Sequence, residues 1–499
     1  MMSLSVLYSR ARSGIHAPLV TVEVHLSNGL PALNIVGLAE TAVKESKDRV
    51  RGALLNAQFE FPARRITINL APADLPKEGG RFDLAIALGI LAASGQLPAD
   101  ALDRYEVIGE LALSGELRPV KGILPAALAA SRKGRALLLP EQNAEEAALV
   151  EDLTVLPAGH LLEICRHLIQ GDQLTPFTAK TSSYRPVAIP DLDEVKGQPQ
   201  AKRALEIAAA GRHSLLMSGP PGCGKSMLAS RLPGILPQMN LQEALETASV
   251  LSVSNKGFSA GQWRIRPFRS PHHTASAAAL VGGGSNPRPG EISLAHNGIL
   301  FQYERKVLEV LREPLETGQI TISRAARQEE FPARFQMIAA MNPCPCGHLG
   351  DTGAKSCRCT EDQVARYRGK ISGPLMDRID MHIEVPRLPP AIWGDGQMEE
   401  QETSQMVRAR VERAWQTQLE RNGCANALLQ GKQLVRICQL PDPARQLLQR
   451  AIEQLGLSAR AYHRILRLAR TIADLEGAEG IATKHISEAI GYRRFDRAR

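Results

Sequence analysis

The chain carries one segment whose residue types and spacing suit the binding of a nucleoside triphosphate. A short apolar run leads into a Gly-x-x-x-x-Gly-Lys-Ser pattern, and a helical pattern follows it. Glycines let backbone N–H groups approach phosphate oxygens, and a helix amino terminus adds positive potential. Lys225 would neutralise the β- and γ-phosphates, and the Ser226 hydroxyl would ligate Mg²⁺. The predicted nucleotide-binding residues are Gly219, Pro220, Pro221, Gly222, Cys223, Gly224, Lys225 and Ser226.

Four of the eight cysteines lie close together, as two Cys-x-Cys pairs separated by ten residues. The pairs are Cys344 with Cys346 and Cys357 with Cys359. Four thiolates on one loop suit tetrahedral Zn²⁺, with His348 as a spare ligand, although Cys-x-x-Cys pairs are more typical. The alternative is four unligated thiols. Eight cysteines in 499 residues do not indicate a disulfide scaffold.

Two polar segments are candidates for contact with a nucleic acid. The segment from Gly282 to Arg288 combines three consecutive glycines with a cation, so its backbone N–H groups can approach phosphates. Arg324 and Arg327 lie on a predicted hairpin. A net charge of +8 is compatible with an anionic partner, but such a mild excess is also common in proteins that bind none. Aromatic residues make up 4% of the chain, so base stacking is not expected as the main binding mode.

The elements that must position these residues fall into three segments and a linker. Residues 1–170 alternate short β-like runs with helical patterns, which predicts an α/β domain. Residues 171–190 are rich in Thr, Ser and Pro, as linkers are. Residues 191–390 form a second α/β segment, and residues 391–499 are predicted to be helical. The helical patterns of this last segment are Met406 to Arg421, Pro441 to Leu455, Ser458 to Glu476 and Thr483 to Tyr492.

Hydropathy limits where the protein can reside. The longest apolar runs, such as Leu84 to Ala93, are much shorter than the ~20 residues of a membrane span. Arg10 and Arg12 are not followed by the sustained apolar stretch of a secretory signal. We therefore expect a cytoplasmic protein that has no membrane partner.

Long strings around and beyond the phosphate-binding loop (P-loop) resemble one family of ATPases. These strings are FRSPHHTASAAALVGGG (268–284), PGEISLAHNGILF (289–301), LREPLETGQITISR (311–324), ARFQMIAAMNPCPCG (333–347), SGPLMDRIDMHIEVP (372–386) and GLSARAYHRILRLARTIADLE (456–476). They are similar to the Mg-chelatase-like AAA+ ATPases of the ComM (YifB) family over nearly the whole chain. The resemblance implies an α/β fold, with a three-layer parallel sheet and a helical carboxy-terminal lid. It further implies ATP and Mg²⁺ as cofactors, and a homo-oligomeric, hexameric motor on single-stranded or branched DNA. The family's role is branch migration by a helicase-type motor, in recombination during natural transformation.

The same resemblance implies catalytic roles for Lys225 and for three residues outside the P-loop. Asn342, at the end of an apolar strand, matches the sensor 1 residue that orients the attacking water. Arg378 matches the arginine finger that reaches the γ-phosphate held by a neighbouring subunit. Arg460 matches the sensor 2 arginine of the lid. A basic face continues at helical spacing beyond Arg460, and we expect a solvated surface from its residues, Arg464, Arg467 and Arg470.

The chain departs from the family at the strand that normally supplies the magnesium-side carboxylates. Family members follow this strand with Asp-Glu; the Asp holds Mg²⁺ through water, and the Glu polarises the nucleophilic water. Here Phe301 is followed by Gln302, Tyr303 and Glu304, and several residues of the expected Leu-Asp-Glu-Leu-Pro-Glu-Phe-type stretch are missing. Without a gap, Tyr303 takes the Asp position and Glu304 the Glu position. With a gap after Phe301, which we prefer, neither carboxylate exists. ATP binding is expected to persist, whereas hydrolysis depends on whether Glu304 acts as the catalytic carboxylate.

The amino-terminal segment resembles the proteolytic domain of Lon proteases, which has the ribosomal S5 domain 2-like fold. The run from Pro76 to Asp83 is similar to Lon's Lys-Asp-Gly-Pro-Ser-Ala-Gly stretch. Arg81 occupies the nucleophilic Ser position, and the Lys general-base position falls at about Ala126. A Ser–Lys protease needs an amine to accept the hydroxyl proton. We therefore expect a structural or partner-binding module without peptidase activity.

Two rival functions stay open on the sequence. One is a chelatase-type motor that remodels a protein to insert a metal into a tetrapyrrole; this chain lacks the companion integrin-like domain of such systems. The other is a regulatory ring subunit that binds ATP without hydrolysing it, which the missing Asp favours.

Overall fold

The computed structural model describes residues 4–171, 174–178, 189–272, 274–284, 287–302, 308–324, 327–351, 356–369, 371–389 and 401–493. These residues form an amino-terminal α/β domain, a P-loop domain and a carboxy-terminal helical lid. None of the helices in these ranges is long and apolar enough to cross a membrane.

The amino-terminal domain is built on a mixed sheet. Its strands are β1 (Leu4–Arg10), β2 (Leu19–Ser27), β3 (Ala32–Val36), β4 (Arg65–Ala71), β5 (Tyr105–Val107), β6 (Glu110–Leu111), β7 (Leu117–Arg118), β8 (Ala136–Pro140) and β9 (Val155–Ala158). Its helices are α1 (Thr41–Lys44), α2 (Ser46–Asn56), α3 (Asp83–Ala93), α4 (Ile123–Ser131), α5 (Ala144–Ala147) and α6 (Leu161–Gln170). Seven strands follow the order β3-β4-β2-β1-β5-β8-β9, in which β2 is antiparallel to both of its neighbours. Alternate residues of β2 are buried and share a core with α3, which is buried along its whole length.

The P-loop domain contains a parallel sheet between two layers. Its strands are β10 (Leu215–Ser218), β11 (Phe268–Arg269), β12 (Gly282–Gly283), β13 (Arg288–Pro289), β14 (Ile299–Gln302), β15 (Gln319–Arg324), β16 (Arg327–Pro332), β17 (Gln336–Met341) and β18 (Met381–Glu384). Its helices are α7 (Pro199–Gly211), α8 (Lys225–Ile235), α9 (Leu241–Ser252), α10 (Ala277–Val281), α11 (Glu291–Leu294), α12 (Arg312–Thr317), α13 (Glu361–Arg368) and α14 (Gly373–Met376). Five strands form a fully parallel sheet in the order β11-β14-β17-β10-β18.

The side chains of β10 alternate between the two faces of this sheet. Leu215 and Met217 share a core with α7, α8 and the lid, whereas Leu216 packs in a second core with the β15–β16 hairpin. The lid comprises α15 (Ser404–Asn422), α16 (Gly431–Ile437), α17 (Asp442–Leu455), α18 (Ala459–Leu475) and α19 (Thr483–Gly491). The α/β fold with a parallel sheet and a carboxy-terminal helical lid, predicted from the sequence, is confirmed.

The amino-terminal domain contacts the P-loop domain directly. Helix α4 packs against α9, and the N–H of Gly122 donates to the Ser252 carbonyl at 3.2 Å. On the neighbouring surface, Ser13 Oγ donates to the Glu329 carboxylate of β16 at 3.1 Å. Within the predicted linker, the N–H of Phe177 donates to the Val155 carbonyl at 2.9 Å, so this part follows the amino-terminal sheet. Residues 172–173 and 179–188 of the predicted linker lie outside the described residues.

Candidate nucleotide-binding site

The predicted phosphate-binding residues form a loop between β10 and α8. Gly222 and Gly224 have φ angles of 78° and 94°, in the left-handed region that glycine adopts without strain. A Cβ atom on Gly219 would lie 2.2 Å from the Val385 carbonyl oxygen, so only glycine fits there. Lys225 begins α8, and the exposed Ser226 follows it in the first turn. The loop therefore presents the free N–H groups of a helix start at the carboxyl edge of a parallel sheet.

The ammonium group of Lys225 is enclosed by the loop. Its Nζ donates to the carbonyl oxygens of Gly219 at 2.6 Å and Pro220 at 2.9 Å. Its Nζ also donates to Cys223 Sγ at 3.6 Å. Burial lowers the pKa of Lys225, and no carboxylate among the described residues forms an ion pair with it. A buried cation that pairs with no carboxylate is a suitable partner for an added anion such as a phosphate.

A cleft of about 390 Å³ borders the loop. Val195, Lys196 and Gln198 line it, and they belong to the segment at 191–198 that precedes the P-loop. Arg387, which was not identified from the sequence, also lines it. Apolar walls with a few polar groups beside a phosphate-binding loop suit a nucleotide base.

Arg387 connects the P-loop to the loop that carries the four clustered cysteines, residues 344–359, hereafter the cysteine loop. Its Nη2 donates to the Pro221 carbonyl at 3.3 Å, and its Nε lies 3.3 Å from Asp351 Oδ1. Asp351 also accepts a hydrogen bond from His348 Nδ1 at 2.9 Å. A Cβ on Gly347 would lie 2.8 Å from Pro221 Cδ, so the backbone of the cysteine loop packs directly on the P-loop.

The four predicted ligand cysteines converge on one point. Their Sγ atoms all lie within 4.8 Å of one another, and His348 is outside this group. Cys344 Sγ lies 3.3 Å from Cys346 Sγ and 3.7 Å from Cys357 Sγ, and none of the four forms a disulfide. Backbone N–H groups of His348 and Arg358 lower the pKa of Cys346 to about 6, which favours the thiolate form of this one residue. Burial and hydrogen bonds from neighbouring thiols raise the pKa of Cys357 and Cys359. The cluster could therefore hold a metal ion.

Asn342, the sensor 1 candidate, follows β17 at the edge where the P-loop begins. Met341 pairs with Ser218, the last residue of β10, so Asn342 and Gly219 leave neighbouring strands side by side. Asn342 is half-buried, as expected for a polar group that borders an enclosed site.

The magnesium-side strand, β14, ends in an amide instead of a carboxylate. Gln302 pairs with Ala339 of β17 and is 3% exposed. Its Oε1 is buried and has no hydrogen-bond partner among the described residues. Glu304, with the rest of 303–307, lies outside the described residues. The described part of β14 thus supplies no carboxylate for Mg²⁺.

Arg378, the arginine-finger candidate, lies at the opposite edge of the sheet from its own P-loop. Its carbonyl accepts a hydrogen bond from Ser214 Oγ at 3.2 Å, and Ser214 precedes β10 whereas the P-loop follows it. Its guanidinium donates to the Pro374 carbonyl at 2.7 Å and forms an ion pair with Glu316. Four strand residues, roughly 13 Å, separate the two ends of β10. Arg378 is therefore placed away from its own phosphate loop.

Arg460, the sensor 2 candidate, is exposed in the first turn of α18, and no hydrogen bond or ion pair joins it to other described residues. The expectation that the rest of this basic face is solvated is wrong. Arg464 forms an ion pair with Asp380 of the P-loop domain, and Arg470 is buried and pairs with Asp474 at 3.0 Å. Burial also lowers the pKa of Arg467. Helical spacing alone did not distinguish a solvated face from one that packs against another domain.

The two segments predicted to contact nucleic acid are both hairpins. In the first, hereafter the glycine hairpin (282–289), Gly283 pairs with Arg288, and a Cβ on Gly282 would lie 2.2 Å from the Arg288 carbonyl oxygen. In the second, β15–β16, Arg324 pairs with Arg327 at the tip, as predicted. Residues 285–286 and 325–326, and the side chains of both tip arginines, lie outside the described residues.

Known proteins resemble this chain throughout its length. The family model for magnesium chelatase, subunit ChlI, matches residues 191–392, and further models of the same subunit match 22–143 and 401–493. Competence protein ComM of Haemophilus influenzae is 53% identical, over 99% of this chain and 98% of its own length. The chain belongs to the ComM/YifB family. YifB of Escherichia coli is 48% identical over 99% of this chain and 98% of its own length.

The ComM/YifB relationship thus includes the amino-terminal domain, the P-loop domain and the lid. A more distant, partial similarity links the chain to Lon proteases. The archaeal Lon protease of Methanothermobacter thermautotrophicus is 32% identical over 91 residues, or 17% of this chain. The resemblances to the Mg-chelatase-like AAA+ ATPases and to Lon, stated from the sequence, are both confirmed.

Proposed function

We propose that this protein is an ATP-dependent AAA+ ring motor that acts on DNA. The observation that carries the proposal is the enclosed Lys225 ammonium, which pairs with no carboxylate among the described residues, in a loop whose residues Gly222 to Gly224 line a cleft of nucleotide size. Lys225 binds the β- and γ-phosphates, and Ser226 ligates the Mg²⁺ that accompanies ATP. Asn342 positions the attacking water. The cytoplasm, where ATP and DNA are both present, is the proposed location.

The position of Arg378 supports a ring assembly. Arg378 is at the sheet edge opposite its own P-loop, as a residue that meets the phosphate of a neighbouring subunit would be. Head-to-tail packing repeats this contact around a closed ring, and we propose a hexamer. On assembly, Arg378 would exchange its partner Glu316 for the γ-phosphate of the neighbouring subunit. The exposed Arg460 would bind the nucleotide when the lid closes.

The proposed process is branch migration of recombining DNA during natural transformation. The competence function in the name of the Haemophilus influenzae relative supports this process. The glycine hairpin supplies backbone N–H groups and Arg288 for phosphate contacts, and the β15–β16 hairpin adds two arginines at its tip. The net charge of +8 favours an anionic partner of this kind.

The cysteine cluster is proposed to be a structural zinc site. Zn²⁺ prefers four thiolates in tetrahedral arrangement, and four Sγ atoms within 4.8 Å of one another suit it. Zinc would hold the cysteine loop closed. Because this loop carries Asp351, which pairs with Arg387, the closed loop would position Arg387 on the nucleotide cleft.

A second candidate function is a ring subunit that binds ATP without hydrolysing it. The buried Gln302, whose Oε1 has no partner among the described residues, favours this candidate because it ends the strand that would supply carboxylates. DNA-stimulated turnover distinguishes the two functions.

The proposal is tested by branch migration of a fluorescently labelled three-way DNA junction by the full chain with ATP and Mg²⁺. We expect ATP-dependent release of the labelled strand, which Lys225→Ala abolishes. Lys133→Ala, which removes an exposed lysine of the amino-terminal domain, is the matched control and should retain the activity. A junction that remains intact with ATP and wild-type protein would contradict the motor function.

A further inference from the structure

A second cleft lies between the amino-terminal domain and the P-loop domain. It has a volume of about 370 Å³, and its basic residues are Arg12, Arg81, Lys121 and Arg288. We refer to it as the Arg81 cleft. The Lon-like segments form most of its wall, and Arg81 occupies the position that corresponds to the Lon nucleophile.

Arg81 is buried in this cleft without an acceptor. Its side chain belongs to a residue that is 6% exposed, and Nε and Nη2 have no hydrogen-bond partner among the described residues. Burial, and then repulsion by Arg12, lower the pKa of Arg81 to about 10. Glu78 and Glu146 attract it, but Glu78 pairs with Arg12 at 3.1 Å and Glu146 accepts the N–H of Leu124 at 3.1 Å. A buried cation in this situation is stabilised by a bound anion.

Three carboxylates, of Glu40, Glu78 and Glu110, line the cleft beside its four basic residues, so the lining keeps an excess of one positive charge. Glu110 lies 4.0 Å from Arg118, and Glu78 is the partner of Arg12. Gly79 has a φ of 68°, and the space where its Cβ would lie is open. Arg81 lines the cleft, so an anion that enters the cleft lies beside this residue.

The cleft continues into the glycine hairpin. Arg288 lines both the Arg81 cleft and a cavity of about 440 Å³ beside Gly282 to Gly284. Lys121 Nζ donates to the Asn255 carbonyl at 3.0 Å, and Arg288 bonds to the Asn255 side chain. Lys121 of the amino-terminal domain and Arg288 of the P-loop domain thus meet at Asn255.

We propose that the Arg81 cleft binds a backbone phosphate of a DNA strand whose neighbouring phosphates lie on Gly282 to Gly284 and Arg288 of the glycine hairpin. The inference rests on the proposed action on DNA, and it gives the amino-terminal domain a direct part in it. Phosphate contacts fix the position of a strand without reading its sequence, so the cleft should show no base preference.

The test is fluorescence anisotropy of a labelled single-stranded oligonucleotide with the full chain, over a range of KCl concentrations. Arg81→Met should lower the affinity about 5- to 10-fold and reduce the slope of log K against log salt by about 0.7, the loss of one phosphate contact. Lys121→Gln, at an exposed position, should lower the affinity about 2- to 3-fold. Arg132→Met removes an exposed arginine of the same domain and should change neither quantity.

The outcomes separate this inference from the proposed function. If the wild-type chain binds DNA, and Arg81→Met has the same affinity and the same salt slope, the inference is wrong. The proposed DNA motor is then unaffected. Absence of binding by the wild-type chain overturns both. Arg81→Met removes an uncompensated buried charge, so we expect it to fold; if it does not, Lys121→Gln decides the question.

A free phosphate is the competing source of the anion. Inorganic phosphate is compared with KCl of equal ionic strength for its effect on the melting temperature of the Lys225→Ala chain, whose P-loop site is disabled. Phosphate protection that Arg81→Met removes, together with unchanged DNA binding, overturns the nucleic-acid assignment. If inorganic phosphate raises the melting temperature less than the DNA strand does at an equal concentration of phosphate groups, the nucleic-acid assignment is supported.

Discussion

Asp380 of the P-loop domain forms an ion pair with Arg464 of α18 in the lid. Asp380 also accepts hydrogen bonds from the N–H and Oγ of Ser214, at 3.0 and 3.1 Å, just before β10. Arg378 is two residues away in the chain. One carboxylate therefore joins the lid, the start of the central strand and the segment that carries the arginine-finger candidate.

The first prediction concerns this pair. Arg464→Met leaves the buried Asp380 without its cation, so we expect a loss of about 2–4 kcal/mol in the free energy of unfolding, measured with urea. Arg460→Met, on the same helix but exposed, should change it by less than about 0.5 kcal/mol. Equal effects of the two substitutions would show that the pair does not hold the lid.

The pH dependence of the pair follows from the same contacts. Burial opposes ionisation of Asp380, but Arg464 and His213 outweigh it and hold its pKa well below the usual range. A depressed folded-state pKa means that the stabilisation is complete above the ordinary aspartate pKa of about 3.9 and is lost as the pH falls further. Unfolding between neutral and acidic pH should show this loss in wild type, and Asp380→Asn should lack it.

The second prediction concerns the cysteine loop. Metal analysis should find one zinc ion per chain, and Cys359→Ser should lose it. Because the loop carries Asp351, which fixes Arg387 on the nucleotide cleft, zinc loss should weaken ATP binding about 3- to 10-fold, the effect of one displaced polar contact. Cys424→Ser, in the lid, is the matched control and should retain both zinc and affinity. Full ATP affinity in a zinc-free chain would contradict the coupling.

The third prediction concerns the magnesium-side strand. Insertion of Leu-Asp-Glu-Leu-Pro after Phe301 replaces the buried Gln302 of β14 with leucine and restores both carboxylates. We expect an increase in stability of about 1–3 kcal/mol, because the unpaired buried amide is removed. An inserted Leu-Asn-Gln-Leu-Pro segment should give the same stability without the carboxylates. If both insertion variants melt at a lower temperature than the wild-type chain, the buried Gln302 amide does not destabilise β14.

The fourth prediction concerns Arg378. If it acts on a neighbouring subunit, Arg378→Ala and Lys225→Ala chains should each be inactive alone. After mixing in equal amounts they should regain activity at about a quarter of the subunit interfaces, where an intact lysine meets an intact arginine. ATP turnover after subunit exchange measures this. If the mixed rings stay inactive, Arg378 does not act on the nucleotide of a neighbouring subunit.

The sequence predicted features whose local pattern is sufficient. The P-loop follows from fixed glycine positions, and the lid helices follow from periodicity; Pro441 to Leu455 agrees with α17 to within one residue. Arg387 was missed because it lies at the predicted boundary between residues 191–390 and 391–499, outside the segments that carried a motif. Its partners, Asp351 and Pro221, are distant in the chain, and only folding brings them together.

The charged side chains were less predictable, because their environment depends on packing between domains. Arg464 and Arg460 share a helix face and a residue type, yet one is held by Asp380 and the other is exposed. Arg81 was recognised from the sequence only as a residue that displaces a nucleophile. Its burial beside Arg12 could not be derived from spacing, since the two residues come from different elements.

The most direct test of an ATP-driven motor is the rate of ATP hydrolysis by the purified full chain, with and without branched DNA. We predict turnover that branched DNA stimulates and that Lys225→Ala abolishes. Turnover that is absent from the wild-type chain, and that begins only when Leu-Asp-Glu-Leu-Pro is inserted after Phe301, would contradict the motor and support the ATP-binding ring subunit.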